Sequence, residues 1–170
     1  MQSIFRDGQP AIAASKTSSK NDFDYLIGKW AIRNRTLKEP LTRSDEWTEF
    51  DATQELRPIL LGLANFDIFR AELDGKAFEG LTVRLFDPKT RLWTIYWADT
   101  GAMKLDDGKV GSFDGDEGDF FGHEVVAGTD VMVRFHWDKR SPKAPIYSRA
   151  FSVDDGRTWE WNWYSHFSPR

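Results

Sequence analysis

No cysteine occurs anywhere in the 170-residue chain. That absence excludes disulfides, thiol nucleophiles and thiolate metal sites together. It fits a reducing compartment, and a cytoplasmic location is the expectation. Histidine is nearly as scarce, at 3 residues, and no set of residues with metal-ligand spacing accompanies them. No apolar run approaches the roughly 18 residues a membrane span needs, and the charge pattern near the N-terminus is wrong for a signal peptide. No membrane partner is therefore expected. Nor is there a strong excess of one charge: Lys and Arg number 23 against 27 Asp and Glu, a net charge of −4. The basic residues are scattered along the chain, so no nucleic-acid footprint is present. Phosphate-cradling glycine loops and nucleophile-elbow motifs are missing too. The acidic run Asp114, Asp116, Glu117 and Asp119 lacks the glycine and the glutamate that a calcium loop places at its sixth and twelfth positions. It reads as a hairpin loop, and neither metal nor cofactor is expected.

Aromatic residues, by contrast, are abundant, with 8 Trp and 13 Phe. They concentrate in the closing stretch R-T-W-E-W-N-W-Y-S-H-F, Arg157 to Phe167. Trp159, Trp161, Trp163, Ser165 and Phe167 share one parity, and Glu160, Asn162, Tyr164 and His166 share the other. In a strand, successive side chains point to opposite faces. On a helix, residues two apart lie about 200° apart around the axis, so no helix presents these tryptophans together. Asp154-Asp155-Gly156 is a turn signal before this strand, and Tyr147 to Ser152 reads as its hairpin partner.

The same pattern repeats along the chain. Residues 1–22 read as a tail or arm, with a solvated, mobile stretch at Ser15 to Lys20; Ile4, Phe5, Ile12 and Ala13 are its docking candidates. A short helical turn over 23–27 follows, capped by Asn21 or Asp22 and broken at Gly28. Extended runs then cover 29–37, 46–57, 64–72, 78–86, 92–98, 109–113, 119–126, 130–138, 147–152 and 159–167. The run 46–57 has mixed parity, which predicts a bulge there. Asp87-Pro88-Lys89-Thr90 carries type I turn chemistry. About ten short strands joined by hairpin-length links predict an all-β fold, a single antiparallel up-and-down β-barrel over 23–170. A meander of that length closes and removes its own edges.

The opening F-D-Y-L-I-G-K-W, residues 23–30, resembles the start of lipocalin-like (calycin) barrels, with its helical turn and Gly28-x-Trp30. W-A-I-R-N-R at 30–35, L-R-P-I-L at 56–60, R-L-F-D-P-K-T-R-L-W-T-I-Y-W-A-D at 84–99 and F-S-V-D-D-G-R-T-W-E-W-N-W at 151–163 resemble an uncharacterised bacterial family of calycin-like proteins. The resemblance implies Trp30 at one end of a barrel with a late arginine over it, Arg149 by position. It implies no established activity.

With the apolar parity taken as inward, all the tryptophans face the lumen or its ends, and Asn34, Glu49 and Arg149 share that wall. The expected function is non-catalytic binding of a small apolar or amphipathic molecule. Trp47, Trp97, Trp161 and Trp163 would be its walls, and Asn34, Glu49 and Arg149 its polar contacts. Two alternatives stand beside it: an enzyme with Glu49 as base and Arg149 as electrostatic partner, and haem binding through His166. The three histidines lie on polar parities. Thr82, Arg84, Tyr96, Arg134, His136, Asn162 and Tyr164, joined by Phe69 and Met132, are large for a purely solvated wall, so a homodimer is expected through them.

Overall fold

The structure, a computed structural model, describes residues 5–6 and 9–170. Strands β1 (Phe5–Arg6) and β2 (Gln9–Pro10) form a small ribbon. Ten further strands follow: β3 (Gly28–Leu37), β4 (Trp47–Ile59), β5 (Ala64–Leu73), β6 (Lys76–Asp87), β7 (Leu92–Asp99), β8 (Lys109–Asp114), β9 (Glu117–Val126), β10 (Thr129–Asp138), β11 (Ile146–Ser152) and β12 (Glu160–Pro169). Each pairs with the next, and β12 returns antiparallel to β3, so the sheet is a closed barrel. The all-β, up-and-down architecture matches the sequence expectation. No helix among the described residues is long and apolar enough to cross a membrane.

Up-and-down connectivity gathers the loops at two ends. Loops 38–46, 74–75, 100–108, 127–128 and 153–159 surround one opening, the mouth. The other end, the floor, is plugged by the chain before β3. Phe23 is 1% exposed. Its ring lies 5.1 Å from Trp93, 5.2 Å from Phe113, 5.8 Å from Phe120 and 6.0 Å from Trp137, mostly edge-to-face. Such pairs add about 0.5–1.5 kcal/mol each beyond burial. Trp30 also lies at the floor, its indole N–H donating to Leu26 O at 2.9 Å. The side chain beside it is Phe167, at 6.0 Å. Arg149 lies elsewhere, over Phe151 and Trp163, which corrects the arginine-over-Trp30 expectation.

The stretch expected to be solvated is docked instead. Ser18 Oγ donates to Arg91 O at 2.6 Å, and Arg91 Nη2 donates back to the carbonyls of Lys16 and Ser18 at 2.9 and 2.6 Å. Thr17 Oγ1 accepts from Gly115 N at 2.9 Å, and Trp93 Nε1 donates to Ser19 O at 3.1 Å. These bonds satisfy floor-side turn groups that water would otherwise take. Ile4 lies outside the described residues. The turn over Asp24–Leu26 has no side-chain cap; Asp22 accepts from Ser19 N at 2.9 Å instead.

Register decides which wall each residue joins, since directly paired residues share a face. In β4 the inward set is Phe50, Ala52, Gln54 and Leu56, paired without interruption to Asn34, Ile32, Trp30 and Gly28. The bulge expected here is absent. It sits in β12: Arg149 pairs with Trp163 but Ala150 pairs with Trp161, leaving Asn162 as the extra residue. In β6 the apolar trio Leu81, Val83 and Leu85 faces outward. Thr82 and Arg84 face inward, opposite Trp97 and Ile95.

Candidate functional site

Inward residues differ sharply between the two ends. At the floor Trp30, Trp93, Phe113, Phe120 and Trp137 are all buried. Towards the mouth Phe50, Trp97, Arg149 and Trp163 also point inward, yet each is only half-buried. Solvent therefore partly reaches the inward side chains of the mouth half of the interior, the cup.

Aromatic walls line it. Trp97 stacks on Phe78 at 6.5 Å and meets Phe69 at 6.0 Å. Gly80 makes room for that indole, since a Cβ there would stand 2.0 Å from the ring. On the far wall Phe50 meets Trp163 edge-on at 5.6 Å. The bulge at Asn162 explains why Trp163 is here and Trp161 is not. Trp161 turns to the outer wall, under Arg134 at 5.4 Å and beside His136 at 6.1 Å.

Polar groups occupy three levels. Deepest is a buried pair, Arg84 Nη1 to Asp67 Oδ2 at 2.5 Å, with Asn65 Oδ1 accepting from the same nitrogen at 3.0 Å. The guanidinium lies 5.0 Å from the Phe23 ring. Burial raises the Asp67 carboxyl above its ordinary range, with Arg84 opposing. Burial also raises the Tyr25 phenol well above its ordinary value. Asp67 Oδ1, Arg84 Nε, Tyr25 Oη and Gln54 Nε2 are buried and have no partner among the described residues. Orphans of this kind are rare in folded proteins and are where water or a ligand is held.

Higher up, Asn34 accepts at Oδ1 from Ser165 Oγ at 2.6 Å and from Trp163 Nε1 at 3.3 Å, while its Nδ2 is buried and unpartnered. Arg149 Nε donates to Asn162 Oδ1 at 2.8 Å, with its guanidinium over Phe151 at 4.7 Å and Trp163 at 5.2 Å. Opposite, Lys109 is fully buried and bonds both Asp106 and Glu124. Burial raises the Asp106 carboxyl, and the bond from Lys109 opposes the rise. Asp106 also accepts from Trp97 N at 2.7 Å, which ties loop 100–108 to the wall.

At the rim a hollow of about 190 Å³ is lined by Leu41, Arg43, Phe151, Val153, Thr158 and Glu160. Loop 38–46 crosses it with Leu41 and Arg43 in left-handed backbone, at φ 68° and 63°, a conformation that costs bulky residues energy. Glu160 holds the loop down by accepting from Leu41 N at 2.9 and 3.1 Å.

Of the residues read from the sequence, Asn34, Trp97, Arg149 and Trp163 face the cup. Trp47, Glu49 and Trp161 do not. Trp47 lies on the outer wall between Arg35, at 4.4 Å, and Tyr164, at 5.8 Å. Glu49 is exposed there and paired with Arg33 at 2.7 Å, so it is no base for chemistry in the lumen. His166 is exposed on the same wall, beside a shallow hollow of about 320 Å³ with Arg33 and Asp51, and faces away from any group held inside. Thr82, Arg84, Phe69 and Asn162, expected outside, are inside; Tyr96, Met132, Arg134, His136 and Tyr164 do face outward. Sequence reading missed Asp67, Arg84, Asp106, Lys109, Glu124 and Tyr147. Arg84 had a signal: it lies two residues from Phe86, the residue opposite Trp93 across the 88–91 turn.

The strand order defines a closed, ten-stranded up-and-down barrel with a lipocalin-like fold. Among solved structures, the S-type phycobiliprotein lyase CPES from Guillardia theta is similar, with a TM-score of 0.60 at 9% sequence identity, covering 91% of this chain and 94% of that one. No protein-family model matches the chain, so the resemblance to a particular bacterial family stays at the level of the barrel. No curated protein matches it either.

Proposed function

We propose that the barrel binds a small, partly apolar molecule in the cup and performs no chemistry on it. The observation that carries this is the half-burial of inward-facing Phe50, Trp97, Arg149 and Trp163 above a buried floor. Flat aromatic walls with a few fixed polar groups are the ordinary make-up of a small-molecule site. The rim hollow of about 190 Å³ is smaller than the roughly 300–1,000 Å³ of typical sites. Entry therefore needs the half-buried side chains and loop 38–46 to move aside. A barrel of the same class in a phycobiliprotein lyase supports the reading at the level of fold. A second copy of the chain against the outer wall is also proposed, with Arg134, His136 and Tyr164 in the contact. Native mass spectrometry of freshly purified protein tests the binding reading: a ligand-sized mass lost on denaturation is the expected result. Absence of any bound mass, together with no hit from a panel of amphipathic molecules, would remove it.

A further inference from the structure

The donors near the mouth are the unsatisfied groups, and the acceptors there are not. Glu124 and Asp106 both bond Lys109 Nζ. Arg149, in contrast, has no carboxylate within ion-pair distance among the described residues. Its Nε is bonded to Asn162 Oδ1 at 2.8 Å, and neither terminal nitrogen has a partner among the described residues. Stacking over Phe151 and Trp163 holds the guanidinium plane, so a fork of two N–H-bearing nitrogens is already oriented.

Asn34 adds a donor whose direction is settled by chemistry. An indole N–H can only donate. Trp163 Nε1 donates to Asn34 at 3.3 Å, so the amide oxygen faces Trp163 and the NH2 group faces away, buried and unpartnered. Tyr147 lies in the same row, since Tyr147 pairs with Ser165 and Ser165 with Asn34. Burial raises the Tyr147 phenol well above its ordinary value, so it remains a neutral donor. Arg149 and Trp163 form the next row towards the mouth. The Arg149 fork and the Asn34 NH2 group can only donate and the Tyr147 hydroxyl can donate beside them, which suits a group that only accepts, namely an oxyanion.

Building on the cup reading above, we infer that its ligand is an organic anion. Its carboxylate or sulfonate is received by the terminal nitrogens of Arg149, with Tyr147 and Asn34 as flanking donors, and its flat apolar body lies against Phe50 and Trp163. The inward charges do not forbid this. Arg84 is matched by Asp67, and Lys109 holds both carboxylates of the facing wall.

Two probes with nearly the same aromatic body separate the anion from the cup. Anilinonaphthalene sulfonate carries a sulfonate, and N-phenylnaphthylamine carries none. Fluorescence titration of the whole chain should show the sulfonate bound about 10–100-fold more tightly, the range for hydrogen bonds to a charged group. Arg149→Met should erase that preference, so that the two probes bind about equally. Arg149→Lys, which keeps the charge and loses the fork, should retain only part of it. Near-UV circular dichroism checks that each variant is folded. Equal binding of both probes by the native chain, or full preference in folded Arg149→Lys, overturns the anion assignment while the cup reading stands. Binding of neither probe overturns both.

Discussion

Trp161 and Trp163 are two residues apart on one strand and face opposite sides of the barrel wall. The bulge at Asn162 separates them: Trp163 Nε1 donates to Asn34 and Ser165 inside, at 3.3 and 3.0 Å, while Trp161 lies under Arg134 outside. Trp163→Leu should therefore weaken anilinonaphthalene sulfonate binding by roughly 2–10-fold, the range of an aromatic contact. Trp161→Leu should leave it unchanged. Equal losses in the two variants would mean that the probe sits outside the cup.

The floor makes a second prediction. Asp67 and Arg84 are 0% and 3% exposed at their side chains. Removing one member leaves a buried charge unpaired, so Arg84→Met should cost about 3–5 kcal/mol. The double variant Asp67→Leu/Arg84→Met should cost clearly less than the sum of the single changes. Urea unfolding of all four chains measures this, and additive losses would show that the two groups are not coupled.

The plug makes a third. Phe23 is 1% exposed and Trp30 5%, and Phe23 touches four rings of the floor. Either residue changed to Ala should cost about 3–5 kcal/mol. A melting temperature unaffected by Phe23→Ala would mean that the segment before β3 does not close the barrel.

Acid unfolding supplies the fourth. Asp154 accepts from Thr158 Oγ1 at 2.6 Å, Thr158 N at 2.9 Å and Arg157 N at 3.1 Å, and from Ser152 Oγ at 2.8 Å. These bonds, the Thr158 hydroxyl first, lower its carboxyl from 3.8 to about 2. The folded carboxyl binds its proton less tightly than the unfolded one. Its contribution to stability is thus complete above pH 3.8 and is lost as pH falls towards 2. Asp154→Asn should flatten the fall in melting temperature across that window. An unchanged slope would place the acid sensitivity elsewhere.

Strand number, hairpin order and closure follow from the sequence because turn chemistry and period-two alternation are local properties. Trp93, Ile95 and Trp97 declared their wall for the same reason: each neighbour along the strand is more polar or smaller. Which wall a strand presents is not always local. Leu81, Val83 and Leu85 look like a core stripe, but the turn at 88–91 pairs Phe86 with Trp93, and that register carries Arg84 inward with its partner strand. A single extra residue at Asn162 reverses Trp161 for a similar reason, since a one-residue slip exchanges the two faces of everything beyond it. The paired partners of Arg84 and Lys109 come from strands 17 and 15 residues away in sequence. An isolated Arg or Lys in a strand reads as a solvated residue until those carboxylates are placed against it. The sequence by itself therefore determined that a closed barrel forms and that aromatic side chains line its inner wall. Only the tertiary structure decided which end is plugged, which tryptophans face the cup and which charges are buried, because each depends on cross-strand register and on partners brought together by closure.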